Sequence, residues 1–422
     1  MSVFAYRGER LFVEDVALVD IVSAVGSPCY IYSRRALTEA YQAFREALGA
    51  QRGLICYAVK ANGNLALLAI LADLGAGFDI VSQGELERVL AAGGDPKRVV
   101  FSGVGKTEGE MRRALEVGIR CFNVESMAEL ARLDAIACAL HVRAPVSLRV
   151  NPDVDAKTHP YIATGLKENK FGIPLGEAVA CYREQACYAH LSFVGMDCHI
   201  GSQLTDLGPF ADALDRILPE FAGLRRAGVA LTHVDVGGGL GVRYRDEQPP
   251  TVAAYVALLK DRLAAHGLSD QELVLEPGRA LVASAGVLAT RVEYIKETEA
   301  RRFAIVDAGM NDLIRPALYG AWQGVTAACR RLGPVREYDI VGPVCESADV
   351  FGRGRRLAIE PGDILAIGEA GAYGFAMSSQ YNARPRAAEV LVDGTEFHVV
   401  RRRETYEDLM RGECVVRAGG RS

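Results

Sequence analysis

Lys60 closes the apolar run Leu54-Ile55-Cys56-Tyr57-Ala58-Val59. An ammonium at the end of a buried strand is costly unless it is paired. Burial favours the neutral amine, the form that attacks a carbonyl to make a Schiff base. A lysine snorkelling out to solvent is the alternative reading of this segment. Gly237-Gly238-Gly239-Leu240-Gly241 follows a second apolar run. Glycines let a backbone approach an anion and present its N–H groups, although a tight turn with no ligand has the same composition. Glu276-Pro277-Gly278-Arg279 follows a third run. A carboxylate there can accept from a protonated pyridine nitrogen, and Arg279 can grip a carboxylate bidentately; an internal Glu–Arg ion pair is the competing reading. His199-Ile200-Gly201-Ser202 ends a fourth run. That imidazole can stack on a flat ring with Ser202 donating to a phosphate, or it is a satisfied structural histidine. The seven histidines show no HxH or HxxxH spacing, so no metal site is expected.

These groups need a scaffold that brings them together. Eight short apolar runs recur: 54–59, 77–81, 99–102, 121–124, 146–150, 192–199, 232–236 and 272–276. They are rich in Val, Ile and Phe, as parallel strands buried on both faces require. Segments between them, such as 65–74, 85–92, 108–117 and 126–139, repeat apolar residues every three or four positions and predict amphipathic helices. Eight strand–helix units over about 250 residues match a closed (β/α)8 TIM barrel, with an open doubly wound sheet as the alternative. A barrel places its chemistry at the C-terminal ends of its strands. The unusual polar residues fall there: Lys60 and Asn62, Asp79 and Ser82, Ser102, Asn123 and Glu125, Arg149 and Asn151, His199, the glycine run and Glu276.

The chain has 422 residues, half of them hydrophobic and 24% charged, with a net charge of −5. This balance suits a large core in two domains and gives no nucleic-acid footprint. The predicted barrel spans 35–285. Beyond it, short alternating runs at 287–294, 303–307, 338–341, 364–368 and 388–392 predict a mainly antiparallel β-sandwich or β-barrel domain over 286–422, joined by residues 1–34. Ten cysteines without CxxC pairs suggest reduced thiols in a cytoplasmic protein. No long apolar segment predicts a membrane span or a signal peptide.

The motifs then form a specific set. Tyr57-Ala58-Val59-Lys60-Ala61-Asn62, Thr158-His159-Pro160-Tyr161-Ile162, Lys170-Phe171-Gly172, His199-Ile200-Gly201-Ser202-Gln203, the glycine run, Glu276-Pro277-Gly278-Arg279, Asn311-Asp312-Leu313-Ile314-Arg315-Pro316-Ala317-Leu318-Tyr319, Gly342-Pro343-Val344-Cys345-Glu346-Ser347 and Tyr381-Asn382-Ala383-Arg384-Pro385-Arg386 occur in this order. In this the chain resembles the diaminopimelate decarboxylases over nearly its whole length. The resemblance implies fold-type III pyridoxal 5'-phosphate enzymes, with a barrel plus a β domain. It implies that Lys60 carries the cofactor as an imine, that His199 stacks on its ring and that Glu276 faces the pyridinium nitrogen. Ser202, Gly239, the backbone of Glu276, Pro277, Gly278 and Arg279, and Tyr373 would hold the phosphate. Arg279, Arg315, Tyr319, Glu346 and Tyr373 would contact substrate, and Cys345 would donate a proton at the reacting carbon. The implied reaction is decarboxylation of meso-2,6-diaminopimelate to L-lysine, the last step of lysine biosynthesis. The implied assembly is a homodimer whose active sites are shared across the interface. A related decarboxylase of ornithine, arginine, lysine or a carrier-tethered amino acid is the alternative. Trp322-Gln323 departs from the family's pattern, where an aromatic and then often a histidine are expected; the departure bears on local lid or interface packing.

Overall fold

The computed structural model describes residues 3–154 and 170–416. The chain divides into two compact units, Arg34–Ala285 and a second made of Met1–Ser33 with Gly286–Ser422.

The first unit is a closed barrel. Its eight strands are Gly53–Ala58, Gly77–Ile80, Val99–Phe101, Cys121–Val124, Ala144–Asn151, Leu191–Asp197, His233–Asp235 and Glu272–Leu275. Each pairs in parallel with the next, and the eighth pairs with the first, so no edge is left open. Among the residues that meet inside are Leu54, Cys56, Val100, Cys121 and Val274. Helices start where the sequence offers caps. Thr107 and Glu110 form a reciprocal capping box before Glu108–Val117, and the Ser82 hydroxyl accepts from Glu85 N–H at 3.2 Å. The eighth strand is followed only by the single-turn helix Arg279–Val282. The long helix Arg34–Leu48, which precedes the first strand, packs against Leu65–Asp73, Val252–Ala265 and Arg279–Val282 and fills that place in the outer ring.

The second unit is built on a mixed, mainly antiparallel sheet. Its twelve-residue strand Gly286–Glu297 pairs antiparallel with Cys29–Ser33, Ile364–Ile367 and Arg302–Val306. Two pairings are parallel: Cys29–Ser33 with Ala388–Asp393, and Arg302–Val306 with Arg336–Val341. Alternate residues Cys29 and Ile31, Val287 and Ala289, and Val390 and Val392 form one apolar face. The helix Leu18–Val25 covers that face with Leu18, Ile21 and Val22, which are three and four positions apart. The strand Val350–Leu357, of sequence VFGRGRRL, carries no apolar alternation and pairs antiparallel with Arg336–Val341.

Candidate active site

All eight barrel strands contribute to one cluster of polar side chains at their C-terminal ends. Lys60 lies in the turn Val59–Ala61 directly after the first strand. Its Nζ is 2.7 Å from Oδ2 of Asp79, a fully buried carboxylate on the second strand. Asp197 and Asp235 end the sixth and seventh strands, and Glu276 follows the eighth. Carboxylate oxygens of these three lie within 4.8 Å of one another, and all three residues are buried.

Four carboxyls in so small a buried space cannot all ionise cheaply. Burial and then the charges of Asp235, Asp79 and Asp197 raise the Glu276 carboxyl well above the ordinary range, against the pull of Lys60. Burial and Asp79 push Asp235 up to about 6, although the Gly237 N–H lowers it. Asn123 Nδ2 donates to Glu276 Oε1 at 3.0 Å and to Asp235 Oδ2 at 3.5 Å, while the Ser102 hydroxyl lies 3.4 Å from Glu276 Oε1. Arg149 pairs with Glu125 at 3.0 Å and lies 4.0 Å from Asp197.

The glycine run is shaped by its neighbours. Gly237 N–H donates to Asp235 Oδ1 at 2.9 Å, and Gly238 N–H donates to His199 Nδ1 at 3.1 Å. Nδ1 is therefore an acceptor, which puts the ring proton on Nε2. Burial, with Arg149 and Lys60 nearby, holds this imidazole neutral, well below its usual titration range. A Cβ on Gly238 would stand 2.3 Å from the Glu276 carbonyl oxygen, so this close approach of two strand ends requires glycine. Arg279 donates to the hydroxyls of Tyr244 at 2.7 Å and Ser202 at 3.0 Å.

The barrel therefore brings together Lys60, His199, Ser202, Gly239, Glu276 and Arg279. Other strand-end residues serve the scaffold: Ser82 caps a helix, and Asn62 and Asn151 accept backbone N–H groups two residues on. Lys170-Phe171-Gly172 packs on the Arg149–Glu125 pair, with the Phe171 ring 4.9 Å from the guanidinium carbon. The 158–162 motif lies outside the described residues. Asp197, Asp235 and Tyr244 were not singled out from sequence. Both aspartates sit at the end of an apolar run, the same position that marks Asp79; Tyr244, in the loop after the glycine run, carries no such signal.

In the second unit, Arg315 is buried at the start of the helix Arg315–Tyr319. Cys345 and Glu346 are exposed. Asn382 Oδ1 accepts from Cys345 N–H at 3.0 Å, and the Tyr381 hydroxyl donates to Glu346 Oε1. Asp349 secures their turn by accepting from Val344 N–H at 2.7 Å and Met310 N–H at 2.6 Å. Tyr373 has φ +55°, a left-handed conformation uncommon for an aromatic residue.

Comparison with known proteins agrees with this geometry. Residues 34–283 match the pyridoxal-dependent decarboxylase family, pyridoxal binding domain. A diaminopimelate decarboxylase of Pseudomonas aeruginosa is 60% identical, over 99% of this chain and all of the relative. The crystal structure of the Helicobacter pylori diaminopimelate decarboxylase complexed with L-lysine is 43% identical with a TM-score of 0.90, covering 93% of this chain and 98% of that one. The enzyme from M. jannaschii is 37% identical with a TM-score of 0.94, covering 98% of each chain. With a Lys60–Asp79 pair, a buried carboxyl ring and a glycine turn at one barrel mouth, and likeness along its whole length, the chain belongs to the diaminopimelate decarboxylase family of pyridoxal-dependent decarboxylases.

Proposed function

We propose that this chain removes one carboxylate of meso-2,6-diaminopimelate as CO2 to give L-lysine, using pyridoxal 5'-phosphate, at the last step of lysine biosynthesis. The observation that carries this reading is the Lys60 amine placed 2.7 Å from a buried carboxylate, beside the Asp197–Asp235–Glu276 ring. The mouth suits a flat, cationic, phosphorylated group. Asp79 Oδ1 and Asp197 Oδ1 are buried with no hydrogen-bond partner among the described residues, so the pocket carries unmet acceptor capacity. The glycine turn leaves no room for side chains, and Ser202 and Arg279 stand together as donors for an anion.

When bound, the cofactor supplies an electron sink for the pair left behind as CO2 departs. The chain's own residues do the rest. Lys60 is the attachment point, and Asp79 holds its amine in place between turnovers. Glu276 accepts from the ring nitrogen, and Asn123 fixes the carboxylate that does so. His199, neutral and held through Nδ1, offers a flat uncharged face for stacking. Ser202, Gly239, the Glu276–Arg279 backbone and Tyr373 bind the phosphate. The second amino-acid end of the substrate is a zwitterion, and Arg279 and Arg315 bind its carboxylate while Glu346 takes its ammonium, with Tyr319 and Tyr373 in contact. Cys345 returns a proton to the reacting carbon. Cys345 and Glu346 act on the cofactor of a second copy in a homodimer. No helix among the described residues is long and apolar enough to cross a membrane, and all ten cysteines are unpaired, which supports a reducing, cytoplasmic setting.

The test is CO2 release from protein loaded with pyridoxal phosphate, with meso-diaminopimelate offered beside L-lysine, L-ornithine and L-arginine. Selective release from meso-diaminopimelate with L-lysine formed is expected, and Lys60→Ala abolishes it. Preferential release from another substrate overturns the assignment of Arg279, Arg315 and Glu346.

A further inference from the structure

Trp322-Gln323, where the chain departs from its family's pattern, adjoins Arg315. Gln323 is fully buried. Its side-chain amide lies between a guanidinium, which only donates, and a main-chain carbonyl, which only accepts. Oriented to satisfy both, it accepts from Arg315 Nη1 at 3.0 Å and donates to the Gly368 carbonyl at 3.1 Å. Gly368 N–H donates in turn to the Gly324 carbonyl at 2.9 Å, so the two segments are tied in both directions. The main chain of Gln323 is held separately. Its carbonyl accepts from Arg355 Nη2 at 2.9 Å, and the Arg355 guanidinium carbon lies 4.2 Å from the centroid of the Trp322 ring. Gly368 opens the segment Gly368-Glu369-Ala370-Gly371-Ala372-Tyr373. One buried amide therefore links Arg315 to the loop that carries Tyr373.

The choice of an amide has a chemical consequence. A carboxylate at position 323 would pair with Arg315 and neutralise the charge a substrate carboxylate needs. An aliphatic side chain would remove an acceptor from a buried guanidinium and a donor from the Gly368 carbonyl. Glutamine holds the guanidinium through Nη1 without placing a negative charge beside it. Bidentate recognition depends on the guanidinium plane.

We propose that Gln323 is a positioning residue for substrate specificity, orienting Arg315 for the distal carboxylate of diaminopimelate. This rests on the reading of Arg315 given under the proposed function. The test compares wild type with Gln323→Leu, Gln323→Glu, Gln323→His and Arg315→Ala as cofactor-loaded enzymes. KM and kcat are measured for meso-diaminopimelate, and Kd for L-lysine by calorimetry, since the product keeps the distal end. Gln323→Leu is expected to raise KM and the lysine Kd by about tenfold, with kcat within about twofold. Gln323→Glu raises both as well, through its charge. Gln323→His stays near wild type, because a neutral imidazole also offers one acceptor and one donor. A Gln323→Leu enzyme with a lowered Tm but wild-type KM and Kd overturns the proposal, since that is a purely structural role. If the leucine variant does not fold, wild-type KM and Kd in Gln323→Glu do the same. Wild-type KM in Arg315→Ala sinks instead the underlying reading of Arg315; a raised KM there with none in Gln323→Leu sinks this inference alone.

Discussion

Arg279 is buried, and two of its N–H groups meet the hydroxyls of Tyr244 and Ser202. In the proposed site the main chain of Arg279 and the Ser202 hydroxyl serve the phosphate while the Arg279 guanidinium grips the substrate carboxylate, so Tyr244 sets the angle from which the guanidinium reaches that carboxylate. Tyr244→Phe deletes one acceptor from a buried charged donor, a loss of about 1–3 kcal/mol. The expected result is a roughly tenfold higher KM for meso-diaminopimelate, with kcat and retention of pyridoxal phosphate little changed. A KM equal to wild type would show that the placing of the Arg279 guanidinium does not depend on this hydroxyl. The placing of Lys60, Glu276 and Arg279 at one barrel mouth was legible because charged residues at the ends of apolar runs are few and stand out. Tyr244 was not: it lies in Val242-Arg243-Tyr244-Arg245, a loop segment whose only distinction is where the fold carries it.

At the scale of elements, the runs of β-branched residues marked all eight barrel strands because parallel strands are apolar on both faces. Observed boundaries shift by a residue or two, as with Leu191–Asp197 against the expected 192–199. Missed elements lack that signal. Val350–Leu357 is held by backbone pairing despite its glycines and arginines, and Arg34–Leu48 takes an outer-ring place that the rhythm assigns to a helix after the eighth strand. What strand ends do jointly also escapes a sequence, because residues 79, 197, 235 and 276 converge only on closure. That convergence has a pH signature. Glu276 is raised above its unfolded value by burial and by neighbouring carboxylates, and Asp235 is raised to about 6. Groups raised in this way stabilise the fold fully below the unfolded carboxyl range, about pH 4, and lose that contribution as pH rises through the folded value. The cofactor-free protein should therefore lose stability from about pH 4.5 upward, by up to about 1.4 kcal/mol per pH unit for one such group. Glu276→Gln, whose amide keeps the Asn123 contact and does not ionise, should flatten that slope. Parallel melting-temperature curves for the two proteins across this range would mean that Glu276 carries no such strain.

For the molecule as a whole, the arrangement of units poses a question of assembly. The chain leaves the β unit after Ser33, builds the barrel, and returns at Gly286, so Cys29–Ser33 is sandwiched between strands from the far end of the sequence. Composition alone separates the two halves of such a chain but says nothing of which surface meets a second copy. Cys345 and Glu346 are exposed in a single chain, yet their positions are fixed by Asn382, Tyr381 and Asp349. The proposed proton donor and the proposed charged substrate contact, both solvent-facing and both held by hydrogen bonds, fit a surface completed by a partner. If each site takes Lys60 from one copy and Cys345 from the other, two inactive variants can repair one another. Lys60→Ala and Cys345→Ala homodimers should each be nearly inactive. After mixing in equal amounts and exchange of subunits, half of the dimers are mixed, and each mixed dimer has one site with both groups intact. Activity should then recover to about a quarter of the wild-type value, and only at concentrations and times that allow exchange. Absence of recovery after exchange has been verified by mass would place both groups in the same chain's site, and the exposed Cys345-Glu346 turn would need another reason for its order.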